Sequence, residues 1–141
     1  MRTFTCVALA LLGSACVPRA TAPHHFEVAT PLCEILADEQ KFADKPVLVA
    51  ALLFHSPHGR GLYSRDCKLD ASLDGSSEFW DKGSRALIEA ARARDQRASI
   101  PVVVSGVFRP WTRYEPGKPP IHLGGGPAIE EGRIVAARWP W

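Results

Sequence analysis

Three histidines have the residue type and the placement that a metal site requires. His55 and His58 flank a Ser-Pro pair at the end of a long apolar run, and His122 lies in a stretch rich in glycine and proline. Neutral imidazoles are common ligands of zinc and copper, so the three histidines would form a zinc or copper site if their loops meet. The alternative is that they are ordinary turn residues and that the protein has no cofactor, because this spacing is not specific for metal.

Basic and aromatic side chains accompany these histidines and suggest a ligand-binding face. The residues are Arg60, Tyr63 and Arg65 in the first region and Arg109, Trp111, Arg113 and Tyr114 in the second. Positive charges interleaved with aromatic rings are typical of a surface that holds an anionic ligand. The solvated rim of a small barrel would show the same composition, and both interpretations stay open.

The sequence does not indicate a catalytic function. No serine lies in a nucleophile-elbow pattern, and no pair of carboxylates has a spacing typical of a general acid and base. We therefore expect a binding or accessory domain rather than an enzyme. The net charge of +2 is too small to argue for nucleic acid. An envelope protein or an anionic glycan is the expected partner.

The first residues of the chain predict export. An apolar run over residues 4–12 follows one positive charge, and small residues precede Cys16. This pattern predicts a signal peptide over residues 1–15. It resembles the leader of bacterial lipoproteins, although Gly13 stands where leucine is usual. Lipidation of Cys16 would anchor the protein in a membrane, facing the periplasm, whereas cleavage after Ala22 would leave a soluble periplasmic form.

Two cysteines remain once the leader and the lipidation site are set aside. Cys33 and Cys67 survive either route of processing, and an exported chain enters an oxidising compartment. Cys33 is expected on a helix ahead of the first strand and Cys67 at the break between the second and third strands, so we predict a disulfide between them. Residues 16–30 are rich in proline and polar residues and predict a flexible tether, which leaves 31–141 for the folded domain.

Two helices are predicted in this domain. The first begins at Pro31, with Thr30 as its N-cap, and ends near residue 42. The second is capped by Ser77 and runs to about residue 95. Its apolar face is expected to consist of Phe79, Gly83, Leu87 and Ala90, with Trp80 and Ala91 beside them. Arg92 is the first of three arginines near its C-terminal end, where the helix dipole favours positive charge. We expect a solvated helix end there rather than a phosphate site.

Five strands follow from apolar runs that end at turn residues. They cover residues 46–55, 62–65, 69–73, 100–108 and 132–139. The first run does not alternate, which predicts that both of its faces are covered. Gly106 interrupts the fourth strand and predicts a bulge or sharp bend. Residues 109–127 contain five prolines and four glycines, which predicts a long loop without regular structure.

Five strands with a helix between the third and the fourth is the order of an OB-fold, a small, partly open barrel. The expected fold class is therefore mainly β with two helices (α+β), built around an OB-like five-stranded barrel.

The chain also resembles a group of small exported bacterial proteins that have an OB-like fold and no established activity. The resemblance lies in Leu32-Cys33-Glu34-Ile35-Leu36, in Phe42-Ala43-Asp44-Lys45, in Cys67 after a short strand, and in His122-Leu123-Gly124-Gly125. The chain departs from that group at Lys45-Pro46, where Gly-Lys is common, and at Ala50-Ala51, where a strand glycine is common. The resemblance implies a binding or accessory domain of the bacterial cell envelope.

Overall fold

The structure, a computed structural model, describes residues 23–56, 59–113, 115–122 and 125–140. This part of the chain is mainly β, with a closed barrel of five strands and several short helices. In chain order the strands are β1 (Thr30–Pro31), β2 (Pro46–Ser56), β3 (Gly59–Tyr63), β4 (Asp70–Leu73), β5 (Ile100–Arg109), β6 (Thr112–Arg113), β7 (Ile121–His122) and β8 (Ala128–Ala137). The prediction of a mainly β domain with a five-stranded barrel is confirmed.

The order of the strands around the barrel fits an OB-like barrel. β2, β3 and β4 form an antiparallel meander, and β4 then pairs in parallel with β8. β8 pairs antiparallel with β5, and β5 pairs with β2 from Val107 opposite Pro46 to Ile100 opposite Leu53. This last pairing closes the ring, so that each barrel strand has a neighbour on both sides. β1 pairs in parallel with β2 beside Val49 and Ala50.

β2 buries one face in the core and the other only in part, so the prediction that both faces are covered is met for one face. Val49 and Leu53 are fully buried in the core. Phe54 points to the opposite face and packs over Gly61 of β3, where a larger residue would leave no room for the ring. The other large side chains that are fully buried include Leu32, Ile35, Leu62, Ile100, Phe108, Ile129 and Ile134. One apolar core therefore joins the barrel to the segment ahead of β2.

Gly106 lies at a β-bulge, as predicted. The register between β5 and β8 shifts between Ser105 and Val107. A Cβ atom at position 106 would lie 2.5 Å from Ile129 Cγ2 and 2.7 Å from the Glu130 carbonyl oxygen. Only glycine permits this close approach of β8, and the bulge bends β5 where the barrel closes.

The first predicted helix is divided into α2 (Leu32–Ala37) and α3 (Glu39–Phe42). The division occurs at Asp38, whose backbone is not helical and whose carboxylate accepts a hydrogen bond from the Lys41 amide at 3.3 Å. Thr30 is not the N-cap, which is a correction to the prediction. Thr30 and Pro31 pair with β2 instead, so the helix begins at Leu32.

The second predicted helix begins later than expected, as α4 (Lys82–Arg94). Asp81 is the N-cap and accepts a hydrogen bond from the Ser84 amide at 2.8 Å. Ser77 lies in a separate 3-10 turn, Ser77–Phe79. The extended backbone of Trp80 separates the turn from the helix, because the indole ring is buried in the core.

This shift changes the buried face of the helix. The residues that α4 buries are Ser84, Leu87, Ile88 and Ala91. Of the predicted face Leu87 is buried, as are Trp80 and Ala91 beside it, whereas Phe79 is 62% exposed. The prediction failed because it placed Phe79 and the helix in one continuous periodic pattern.

The predicted loop over residues 109–127 contains regular structure. β5 continues through Arg109, and β6 pairs with β7 as a hairpin in which Thr112 lies opposite His122. Gly117, with φ +74°, lies in the connection between the two strands, where a left-handed residue allows the chain to turn. We call residues 110–127 the arm. The prediction of a wholly irregular loop is wrong for this hairpin.

The predicted signal peptide (residues 1–15) and Cys16 lie outside the described residues. The predicted tether is described from residue 23 onward, where the chain forms α1 (Pro23–Val28). The Arg138 guanidinium lies 3.9 Å from the centroid of the Phe26 ring, so this helix contacts the segment after β8. In the described ranges, no helix has the length and apolar character needed to cross a membrane.

Candidate functional site

The predicted ligand face is divided among separate clefts in the structure. Arg60 lies with His55 in a cleft beside α4, Tyr63 and Arg65 line a cleft beside β1, and Arg109, Trp111 and Arg113 lie at the base of the arm. Tyr114 lies outside the described residues. The chain therefore brings three predicted residues together at the arm and places the others elsewhere on the barrel.

The arm cleft has a volume of about 520 Å³ and is the most apolar of these clefts. Its lining consists of Leu36, Glu39, Leu69, Asp70, Trp111, Gly125, Gly126 and Pro127. Trp111 and Leu69 are each 48% exposed. Two large apolar side chains thus remain half in solvent within one concave surface.

Glu39 of α3 positions Trp111. One oxygen of its carboxylate accepts hydrogen bonds from the backbone amides of Trp111, at 3.0 Å, and of Thr112, at 3.4 Å. The base of the arm is therefore tied to the helix ahead of β2. Leu69, just ahead of β4, and Asp70, its first residue, also line the cleft. Three separate parts of the chain converge at this cleft.

An adjoining cleft of about 460 Å³ shares Gly125 and Gly126 with the arm cleft and is strongly charged. Arg109 lies between two carboxylates, with Nη1 2.6 Å from Asp44 Oδ1 and Nε 2.6 Å from Glu130 Oε2. The hydrogen bond with Glu130 raises the pKa of the Arg109 guanidinium most, and the hydrogen bond with Asp44 raises it further. Its positive charge is balanced locally and is not available to attract an anion.

Acidic groups outnumber basic groups around the arm. The two clefts are lined by five carboxylates and two guanidiniums, from Glu39, Asp44, Asp70, Asp74, Glu130, Arg109 and Arg113. The surroundings of Trp111 are therefore net negative. An anionic ligand would meet repulsion there, and a cationic one would meet attraction.

The cleft beside α4, which we call the helix cleft, has the opposite charge. Its volume is about 270 Å³, and it is lined by His55, Arg60, Ser77, Trp80, Arg85, Ile88, Glu89 and Arg92. The Arg60 guanidinium lies 4.9 Å from the Trp80 ring centroid and donates a hydrogen bond to the Gly75 carbonyl oxygen. Arginine thus covers the tryptophan face, so that ring is not open to stacking by a ligand.

His55 is held in the helix cleft by Arg92, whose Nη1 lies 3.2 Å from His55 Nε2. Since a guanidinium only donates hydrogen bonds, Nε2 is the acceptor. Burial, followed by the positive charges of Arg92 and Arg60, lowers the pKa of the His55 imidazole from 6.5. The imidazole is consequently neutral at pH 7.

The zinc or copper site stays a prediction. His58 and the side chain of His122 are outside the described part, and only the backbone of His122, in β7, is placed. A metal at His55 Nε2 would have to replace the hydrogen bond from Arg92. Among the residues that the structure describes, no group of three His, Cys, Asp or Glu residues is arranged to hold a metal.

The predicted disulfide is confirmed. Cys33 of α2 and Cys67, in the turn between β3 and β4, are bonded, with their Cα atoms 5.8 Å apart. This separation lies within the roughly 4.4–6.8 Å that disulfides span. The bond ties the segment ahead of β2 to the turn that leads into Leu69 and the arm cleft.

Several residues that line these clefts were not predicted from the sequence. Leu69 was placed only as a strand residue, and nothing in the local sequence indicates that it faces Glu39, thirty positions earlier. Arg92 was assigned to a solvated helix end, although the structure places it beside His55. Both contacts are long-range, so only the tertiary fold reveals them.

No family model, curated protein or solved structure matches this chain. Its function therefore has to be inferred from the clefts themselves.

Proposed function

We propose that this protein is an exported, non-catalytic binding module of the bacterial cell envelope that holds a segment of another envelope protein in the arm cleft. The observation that carries this proposal is the pair of half-exposed apolar side chains, Trp111 and Leu69, in one cleft. Tryptophan is enriched among the residues that dominate binding energy at protein interfaces. A cleft of this size and apolar character suits one or two side chains of a partner.

The position of the cleft supports the proposal. OB-folds bind ligands on their second and third strands and on the flanking loops. The second and third barrel strands are β3 and β4, and the arm joins the fourth strand to the fifth. The arm cleft has residues from the start of β4 and from the arm. The proposal includes an OB-like fold. It takes α4, which lies between the third and fourth barrel strands, as the helix of that fold.

The charges select the kind of partner. Because carboxylates outnumber guanidiniums around Trp111, we expect a segment in which an apolar side chain lies next to lysine or arginine. Of the two partners that the sequence suggests, an envelope protein therefore suits the arm cleft better than an anionic glycan.

Export is part of the same proposal. The Cys33–Cys67 disulfide supports an oxidising compartment, because cytosolic proteins rarely keep structural disulfides. Lipidation at Cys16 would anchor the module in the membrane facing the periplasm. Processing after Ala22 would release it as a soluble periplasmic protein with the same domain.

A peptide-display selection tests the proposal. A random library is selected on the wild-type domain and counter-selected on Trp111→Ala, a change at a half-exposed side chain that should leave the fold intact. We expect enriched peptides that place an apolar residue beside lysine or arginine. The same selection on Phe79→Ala, which removes an exposed apolar ring outside the cleft, should enrich the wild-type set. Enrichment of acidic peptides would refute the proposal. It would also be refuted if no enriched peptide binds the wild type better than Trp111→Ala.

A further inference from the structure

The helix cleft contains hydrogen-bond donors for which the described part of the chain supplies no acceptor. They are Arg92 Nε, Arg92 Nη2 and Trp80 Nε1, all shielded from solvent. Trp80 is 7% exposed and lines the same cleft as Arg92. Leaving a buried donor unpaired is unfavourable, and more so when the donor is charged. A group that brings only acceptor atoms is the chemical complement of such donors.

The unpaired atoms of Arg92 form one edge of its guanidinium. Nη1 already donates to His55, which leaves the edge formed by Nε and Nη2. Two parallel N–H groups along one edge match two oxygens of a carboxylate or phosphate. The hydrogen bond to His55 therefore uses only one corner of the guanidinium and leaves this edge unpaired.

The net charge of the helix cleft favours an anion that carries more than one negative charge. Three guanidiniums, from Arg60, Arg85 and Arg92, lie against one carboxylate, from Glu89, which leaves a formal charge of +2. Among the described residues, none of the three guanidiniums has a carboxylate within salt-bridge distance. Phosphate carries about −1.5 to −2 at pH 7 and several acceptor oxygens, whereas a carboxylate carries one charge.

We infer that the helix cleft is a binding site for a phosphate group, held by the Nε–Nη2 edge of Arg92 and the indole N–H of Trp80 within the field of Arg60 and Arg85. The volume of about 270 Å³ is below the range of drug-sized sites and suits one such group. The site is separate from the arm cleft, since the two share no lining residue. The phosphate group is either free or part of a larger ligand.

Binding requires a small rearrangement. Because the free edge of Arg92 is shielded from solvent, the phosphate group reaches it when the Arg92 side chain turns toward the cleft that it lines. Neutral His55 gives up little when this occurs, since its Nε2 can accept from water instead.

An NMR titration tests the inference on the full mature domain. Inorganic phosphate, glycerol phosphate and acetate are added at constant ionic strength, and the ¹H–¹⁵N signals of the Trp80 indole and the Arg92 Nε–H are followed. We expect saturable shifts of both signals with phosphate and weaker binding of acetate. If glycerol phosphate binds more tightly than phosphate, the group belongs to an esterified ligand, and if it does not, the site takes the free ion.

Two charge-matched variants make the test specific. Arg92→Gln should raise the dissociation constant about tenfold or more, because a charge-assisted bidentate contact is lost. Arg97→Gln removes the same charge from an exposed position outside the cleft and should leave the constant unchanged. If Arg92→Gln does not fold, Arg92→Lys can replace it. This variant keeps the positive charge but lacks the two parallel N–H groups of the guanidinium, so it should still weaken binding. The inference is overturned if the shifts do not saturate, if acetate binds as tightly as phosphate, or if Arg97→Gln weakens binding equally.

Discussion

Loss of the Cys33–Cys67 disulfide should destabilise the domain strongly. The two cysteines are 34 positions apart, so the bond closes a loop that contains α3, β2 and β3. In the chain-entropy description, closing a loop of this length removes about 3.8 kcal/mol of unfolded-state freedom at 25 °C. For a domain of this size, at roughly 4 °C per kcal/mol, the melting temperature should fall by about 15 °C when the bond is broken.

The measurement is thermal unfolding followed by circular dichroism, with and without a phosphine reductant. Wild-type protein should show the full decrease once a thiol titration confirms reduction. The double variant Cys33→Ala/Cys67→Ala should start from the lower melting temperature and should not respond to reductant. A fully reduced wild type whose melting temperature changes by less than about 3 °C would show that the loop is held mainly by the buried side chains of α2.

Further predictions concern the barrel, one histidine and the leader. Gly106→Ala should cost about 1–3 kcal/mol in denaturant unfolding, because the new methyl group meets Ile129 and the backbone of β8, while Ser105→Ala should stay within about 0.5 kcal/mol. His55 has a folded-state pKa below 6.5, so as the pH falls the unfolded chain takes up a proton at this residue before the folded protein does. The stability of the wild type relative to His55→Asn should therefore be constant above pH 6.5 and decrease as the pH falls through the folded-state pKa. If the histidines form a metal site, saturating zinc or copper should raise the melting temperature and His55→Ala should abolish the increase; an unchanged melting temperature would leave them as turn residues. Cys16→Ser should release the protein from membranes of its native host, and an unmodified N-terminus downstream of Cys16 in the mature wild type would disprove lipidation.

The barrel could be predicted because its strands carry their information locally. The apolar run at 46–55 is bounded by Pro46 and a Ser-Pro-His-Gly turn, and this length and punctuation mark it as a strand. Gly106 marks a bulge because it is a glycine inside a run of β-branched residues. The disulfide followed from the count of surviving cysteines and from the order of the elements.

Local sequence could not decide where the second helix begins. Ser76, Ser77 and Asp81 are all good N-cap residues, and the hydroxyl of Ser76 and the carboxylate of Asp81 both accept capping hydrogen bonds. The burial of Trp80 in the core ends the first turn and starts α4 at Lys82. This is a tertiary effect that no pattern of spacing within the helix contains.

The candidate sites were predictable only in part. Trp111, Arg109 and Arg113 were expected at a ligand face, and the structure places them around the base of the arm. Their charges could not be judged from the sequence, because Asp44 and Glu130 neutralise Arg109 from distant parts of the chain. The part of the predicted basic face that lies at the arm is therefore acidic in the folded protein.

The most direct test of the proposed function is the affinity of the best selected peptide for three forms of the domain, measured by isothermal titration. The wild type and Phe79→Ala should bind it equally. Trp111→Ala should bind it about 30-fold more weakly, which corresponds to the roughly 2 kcal/mol loss that defines a dominant interface residue. Equal affinity of Trp111→Ala and the wild type would contradict the assignment of the arm cleft as the binding site.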